Sequence, residues 1–252
     1  MRLGIIGVGH LAGALLTGLA RAGFAPADIC LSPRGHGRDL ARREGYALAQ
    51  DNADLVARCS HVLLCVRPAD AAGAVAGLPW RADHVLMSAC AGVPRTALAR
   101  AADPAAIVRL MPITAAEKGA SPTLVYPMRA DLAPMLDAFG STIALADEDQ
   151  FEAATVYAAI YGWVQKLIAA SAEWSAAQGL DPGVSRQVSA ATFVAAGVMQ
   201  ADASRDMGDI LQSLLTPGGI TEAGLDHLDR AGAITAWQEA CALVLHRLQG
   251  TR

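Results

Sequence analysis

The stretch Leu3-Gly4-Ile5-Ile6-Gly7-Val8-Gly9-His10-Leu11-Ala12 decides how the rest of the chain is read. Leu3 to Ile6 is an apolar run short enough for a buried strand, and Leu11, Leu15, Leu16 and Leu19 recur at helical spacing. A strand, a Gly-x-Gly turn and a helix together make a phosphate cradle. Gly7 permits the tight turn, Gly9 lets a pyrophosphate approach the backbone, and the unpaired amides at the helix start face the anion. A plain tight turn has the same glycines. The flanking strand and helix favour a dinucleotide site.

Composition narrows the class. The 252 residues are 53% hydrophobic and 17% charged, material for one large core or two modest ones. Net charge is -4 with the signs interspersed and no Lys/Arg cluster, which gives nucleic acid no face to bind and leaves small-molecule chemistry. Five cysteines, Cys30, Cys59, Cys65, Cys90 and Cys241, lie mostly in apolar runs and form no Cys-x-x-Cys pair. They read as reduced, buried fillers of a cytoplasmic protein. His10 sits in the glycine turn within reach of phosphate, while His36, His61, His84, His227 and His246 have no spacing for a metal or a triad, so no metal is expected. Met1 to Leu19 resembles an export leader, but its glycines interrupt the apolar region. Ala153 to Ala172 nearly reaches membrane-spanning length, yet Gln165 and Lys166 interrupt it. The expectation is a helix buried between subunits.

Past the first helix, Asp28 to Leu31 is predicted as a second strand closed by Ser32-Pro33-Arg34-Gly35. An NAD-preferring fold would place an acidic residue there for the ribose 2'-hydroxyl. This chain has none; Ser32, Arg34 and Arg38 suit a 2'-phosphate instead, the alternative being an exposed arginine in a polar turn. Arg38 to Gly45 reads as a helix, and Val62 to Val66, Val85 to Met87 and Ile107 to Met111 read as buried parallel strands. Arg67-Pro68 ends the first of these and the small-residue loop Ser88 to Pro94 ends the second, at the carboxyl side where ligands gather. Ser121 to Tyr126 and Ile143 to Leu145 add strands around a helix at 131–139.

From Glu148 onward strand-like runs cease, and helices are predicted over 150–179, 182–200, 209–215, 222–231 and 233–248. The expected organisation is therefore 1–147 and 148–252. Leu215-Thr216-Pro217-Gly218-Gly219-Ile220-Thr221 stands out among the helices. Its glycines and helix-start amides can grip a carboxylate beside the hydroxyls of Thr216 and Thr221. A helix-breaking turn with Thr221 as N-cap explains the spacing equally well.

These residues resemble the pyrroline-5-carboxylate reductases, which reduce a cyclic imino acid to proline with NADPH. Beside the glycine turn, the likeness rests on Val66-Arg67-Pro68, Ser88-Ala89-Cys90-Ala91-Gly92, Arg109-Leu110-Met111-Pro112 and, most specifically, Thr216-Pro217-Gly218-Gly219-Ile220-Thr221. It implies an α/β Rossmann-type N-terminal domain binding NADP (residues 1–147), followed by an all-α C-terminal dimerisation and substrate domain (148–252). Gly7, Gly9 and Ala12, with His10 and Leu11 beside them, would meet the pyrophosphate, and Ser32 and Arg34 the 2'-phosphate. Val66, Pro68, Ala89 and Cys90 would lie toward the nicotinamide. Thr216, Gly218 and Gly219 would hold the substrate carboxylate, and Thr221 the ring nitrogen, making Thr221 and Thr216 the catalytic candidates. The implied donor is NADPH, with NADH as the alternative, the acceptor a small imino or keto acid, and the assembly a homodimer or larger.

The chain also departs from that family. Ile113 replaces a polar residue after Met111-Pro112, and Ala158-Ala159-Ile160-Tyr161-Gly162-Trp163 puts bulk where the family has tiny residues. Gly162 with Lys166 is similar to the 3-hydroxyacid dehydrogenases, which would make Lys166 an active-site proton donor; the other reading is a solvated helix lysine. A non-catalytic NADP-binding protein, its pocket filled by Tyr161 and Trp163, is a third expectation.

Overall fold

The structure, a computed structural model, describes residues 2–250. Met1, at the head of the leader-like stretch, and the final two residues of the 148–252 segment lie outside the described residues. In chain order the elements are β1 (Leu3–Ile6), α1 (His10–Arg21), β2 (Ile29–Leu31), α2 (Gly37–Glu44), β3 (Ala47–Leu48), α3 (Asn52–Arg58), β4 (His61–Leu64) and α4 (Ala71–Val75). There follow β5 (Val85–Ser88), α5 (Arg95–Ala101), β6 (Ala106–Met111), β7 (Thr123–Tyr126), α6 (Ala133–Phe139) and β8 (Thr142–Ala144). The helices α7 (Glu148–Thr155), α8 (Tyr157–Ala177), α9 (Pro182–Gln200), α10 (Met207–Gln212), α11 (Ile220–Arg230) and α12 (Ala233–Gln249) complete the chain.

The strands form one sheet in the order β3-β2-β1-β4-β5-β6-β7-β8, parallel throughout except at the antiparallel β6–β7 pair. Each central strand is apolar on both sides because helices cover both faces. Leu3, Ile5, Leu63, Met87 and Leu110 point into a core with Leu15, Leu16 and Leu19 of α1 and Phe139 of α6. Ile6, Val62, Leu64 and Leu86 point the other way, onto Leu55 and Val56 of α3 and Leu98 of α5. The order turns back at β1, which pairs with β2 on one side and β4 on the other. A crevice at the carboxyl ends of such neighbours is where open parallel sheets bind ligands.

Two differences from the sequence expectation have physical causes. Strand β2 begins at Ile29 because Pro26–Asp28 close a 3-10 turn. The helix expected over 150–179 is two helices: the Val156 amide donates to the Ala153 carbonyl at 3.3 Å, a tightened turn, and Phe151 of α7 is anchored in a small core with Met111 and Leu124. Helix α7 thus belongs to the sheet. The chain divides into two compact units, one reaching Ala158 and including the last turns from Leu245, the other Ala159–Val244.

The helical unit buries little of itself. Helix α8 has no fully buried residue, and Trp174 stands 68% exposed. Leu167, Val194 and Val198 are exposed as well. Trp163 and Trp237 meet edge to face, ring centroids 5.4 Å apart. No helix among the described residues is long and apolar enough to cross a membrane.

Candidate active site

Gly7 has φ +90°, and a Cβ there would come within 2.6 Å of Val66 and 2.8 Å of the Cys65 backbone. Only glycine allows β1 and β4 to end this close together. Gly9, the residue capping α1, offers no side-chain hydrogen bond to the helix, and a Cβ at Gly9 would stand in open space. The first amides of α1 therefore face an open hollow with no protein oxygen from a cap. The turn after β2 is drawn into the same place. Ser32 donates its amide to Ile5 and Gly7 donates its own to Ser32 Oγ at 3.2 Å; the His36 amide bonds the Val8 carbonyl at 2.9 Å. Gly35 makes this possible, for a Cβ there would lie 2.6 Å from the Val8 oxygen.

The result is a cleft of about 510 Å³ lined by Gly7, Ser32, Arg34, Asn52, Val66 and Gly73 among others. A neighbouring hollow of about 530 Å³ shares Arg34, Asn52 and Gly73 and adds Arg38. Arg34 and Arg38 are exposed, and neither is in an ion pair among the described residues, so both guanidinium groups are open to an anion. Ser32 is buried and serves first as acceptor for Gly7. Arg67, by contrast, is turned onto Asp70 at 2.9 Å. Gly9 and His10 open on the flank between α1 and α2, where His36 joins them. Leu11 is partly buried and Ala12 fully buried against the core, so only their amides are available to a ligand. Asn52 and Gly73 carry no phosphate motif; what marks Asn52 in the sequence is its place behind the Asp51 cap of α3.

Toward β5, Pro68 is exposed, Ala89 is half-buried and Cys90 is buried. Neither Pro68 nor Ala89 nor Cys90 lines the two hollows. Cys90 acts as a staple, its Sγ donating to the Val66 carbonyl at 3.3 Å. Burial pushes the Cys90 and Cys65 thiols up, so neither is a ready nucleophile. Arg109, quoted above as part of a motif, is structural. It is 1% exposed, bonds Glu152 at 2.7 Å and Glu148 at 3.2 Å, and lies 4.5 Å from the Phe151 ring. Glu148 also accepts the Arg95 amide at 2.7 Å, which fixes the start of α5 behind the Ser88–Pro94 loop.

In the helical unit, Thr216-Pro217-Gly218-Gly219 forms a tight turn closed by the Gly219 amide on the Thr216 carbonyl at 2.7 Å. Pro217 and Gly218 (φ +72°) occupy the two central positions, the arrangement of a type II turn. Gly219, not Thr221, caps α11, so Thr221 lies inside the first helical turn with its hydroxyl exposed beside the exposed Thr216. Lys166 is exposed on α8.

Residues 2–92 match the family "NADP oxidoreductase coenzyme F420-dependent", and residues 148–250 match "Pyrroline-5-carboxylate reductase dimerisation". Over nearly its whole length the chain resembles the pyrroline-5-carboxylate reductases, and its helical part matches their dimerisation family. A Synechocystis pyrroline-5-carboxylate reductase is 27% identical, covering 99% of this chain and 97% of its own. The structure of the Streptococcus pyogenes 1-pyrroline-5-carboxylate reductase superposes with TM-score 0.86 at 23% identity, covering 98% of both chains. That of the Plasmodium falciparum pyrroline carboxylate reductase, solved with NADP bound, gives 0.89 at 18% identity over 100% of this chain and 98% of its own. These structural likenesses establish the same α/β sheet domain and helical domain.

Proposed function

We propose that this protein is an NADPH-dependent reductase of the C=N bond in a small cyclic imine, with 1-pyrroline-5-carboxylate to proline as the reaction its family likeness indicates. The observation that carries the reading is the crevice at β1 and β4: a glycine-only turn, an uncapped helix start, and two unpaired arginines where an NAD-specific site would carry an acid. These residues fit NADPH. The α1 amides and Gly9 would hold its pyrophosphate, and Arg34 with Arg38 its 2'-phosphate. Bound NADPH supplies a hydride, so the reaction balances as imine plus NADPH plus a proton giving amine and NADP.

What the chain itself must do is hold the acceptor and tune its nitrogen. The Thr221 hydroxyl would donate to that nitrogen or accept from it once protonated. An alcohol is too weak an acid to surrender its proton at neutral pH, so water supplies it. Most of the acceleration then comes from positioning. The dimerisation family matched by 148–250 supports a homodimer, with the exposed apolar side chains of α8 and α9 covered by a second copy. Lys166 is exposed on α8 and lines none of the hollows described above, which gives the dehydrogenase-like alternative no support.

The test is NADPH oxidation with pyrroline-5-carboxylate, its six-membered homologue and a panel of small keto acids. Turnover of a cyclic imine, lost in Thr221→Val with NADPH affinity intact, supports the reading. Activity on keto acids alone, lost in Lys166→Met, would replace it with the dehydrogenase-like alternative. NADPH binding without turnover of any acceptor would leave a binding protein.

A further inference from the structure

The acceptor loop contains a charge of its own. Of the two glycine amides that a substrate carboxylate would use, Gly219 is spent on closing the turn and Gly218 donates to Glu222 Oε2 at 2.6 Å. Pro217 has no amide to offer. Glu222 stands three residues past the Gly219 cap, the spacing at which a side chain of the first helical turn folds back over the helix start. The helix dipole favours a negative group at that place as well. The bond is short, as expected when the acceptor is a carboxylate. Glu222 is half-buried.

A second carboxylate arriving at this turn must expel Glu222 or lie beside a like charge. A protonated cyclic imine has the opposite requirement. Its nitrogen is cationic just before hydride arrives, and a neighbouring carboxylate stabilises it. In pyrroline-5-carboxylate the substrate brings that carboxylate with it, whereas here the protein does. We propose that Glu222 takes the place of the substrate carboxylate, so that the preferred acceptor is a five-membered cyclic imine with no carboxylate beside the C=N bond. This inference rests on the imine-reductase reading and names the substrate class of the same site. Glu222 is its specificity-determining residue.

The experiment compares kcat/KM of the full-length protein for 2-methyl-1-pyrroline and 1-pyrroline-5-carboxylate, which share a ring and differ in the carboxylate. Wild type is expected to favour the uncarboxylated imine by about tenfold or more, the scale on which juxtaposed like charges discriminate between partners. Glu222→Gln keeps an acceptor for the Gly218 amide and removes the charge. It should raise kcat/KM for the carboxylate about tenfold, chiefly through KM, and lower that for 2-methyl-1-pyrroline. Glu222→Ala should move both in the same directions, and an unchanged NADPH affinity shows that each variant is folded. A wild type that prefers pyrroline-5-carboxylate, with Glu222→Gln no better on it, overturns the inference while the reductase reading stands. Failure of wild type and variants to reduce either imine, with NADPH bound, sinks both.

Discussion

Replacing Arg34 and Arg38 with alanine tests the donor side most directly. Both guanidinium groups border the hollow beside the Ser32-Pro33 turn, and neither has an ion-pair partner to lose among the described residues. Truncating them therefore leaves no buried carboxylate stranded, and the effect reports on the ligand. A hydrogen bond to a charged group is worth about 1.5 to 3 kcal/mol, and exposure puts these at the low end. Arg34→Ala should then weaken NADPH about tenfold, and the double variant about a hundredfold. NADH has no 2'-phosphate, so its affinity should stay within about twofold. Ser32→Ala provides the contrast. Its hydroxyl is buried and holds the Gly7 amide at 3.2 Å, so its loss loosens the turn beneath both cofactors and should weaken both alike. Titration of cofactor fluorescence at two salt concentrations measures all of this, since the Arg34 contribution must shrink as salt rises. A double variant that kept the wild-type preference between NADPH and NADH would refute the assignment of these arginines.

Gly7→Ala should abolish binding of either cofactor, because a side chain at φ +90° meets Val66 and the Cys65 backbone at under 3 Å; retention of NADPH affinity would show that the turn relaxes freely. Glu152→Gln should cost up to about 3 kcal/mol in urea unfolding at fixed protein concentration, as it leaves the buried Arg109 with the longer contact to the more exposed Glu148, whereas Arg109→Met with Glu152→Leu should recover most of that loss. Equal losses for Glu152→Gln and the more exposed Glu148→Gln would contradict the geometry. Acid should destabilise the fold as pH falls below the ordinary histidine range. Burial, and then Arg81, lower the His84 pKa against the opposing pull of Asp83, so the unfolded chain takes up a proton that the folded one refuses. His84→Gln should flatten Tm between pH 7.5 and 5. Asp131 does not interfere in this window, because Arg129 and His61 hold its carboxyl at about 2 and its contribution fades only below its ordinary range.

The sheet was legible because its strands are continuous apolar runs and its first helix repeats leucine at helical spacing, signals that burial on both faces imposes. What was not legible was short or locally unmarked. Strand β3 is two residues, Ala47 and Leu48, below any periodicity. Helix α3 had a signal, Asp51 capping the Asp54 amide at 2.8 Å, and with it came Asn52 in the cofactor cleft. No glycine or proline marks the break at Val156; it arises from tertiary anchoring of Phe151 and Glu152. At the acceptor loop, spacing alone allowed Thr221 to cap α11. Glycine took that place because the closed turn from Thr216 delivers the chain into the helix one residue before Ile220, which freed Thr221 and brought Glu222 onto Gly218.

The two halves of the molecule are therefore constrained differently. In the sheet unit the backbone itself makes the site: glycine turns, helix amides and strand ends would serve any dinucleotide of this kind, so the donor was readable at low identity. In the helical unit the proposed selectivity depends on side chains over a common turn. Glu222 adds a charge at the Gly218 amide, and Trp163, edge-on to Trp237, adds volume on α8 where the family likeness implies a tiny residue. Interiors do not absorb an indole without moving their neighbours, and turns do not share one amide between two carboxylates. On the proposal for Glu222, a chain with the glycine-turn donor crevice and a carboxylate over its acceptor turn keeps the reaction type and takes a different acceptor.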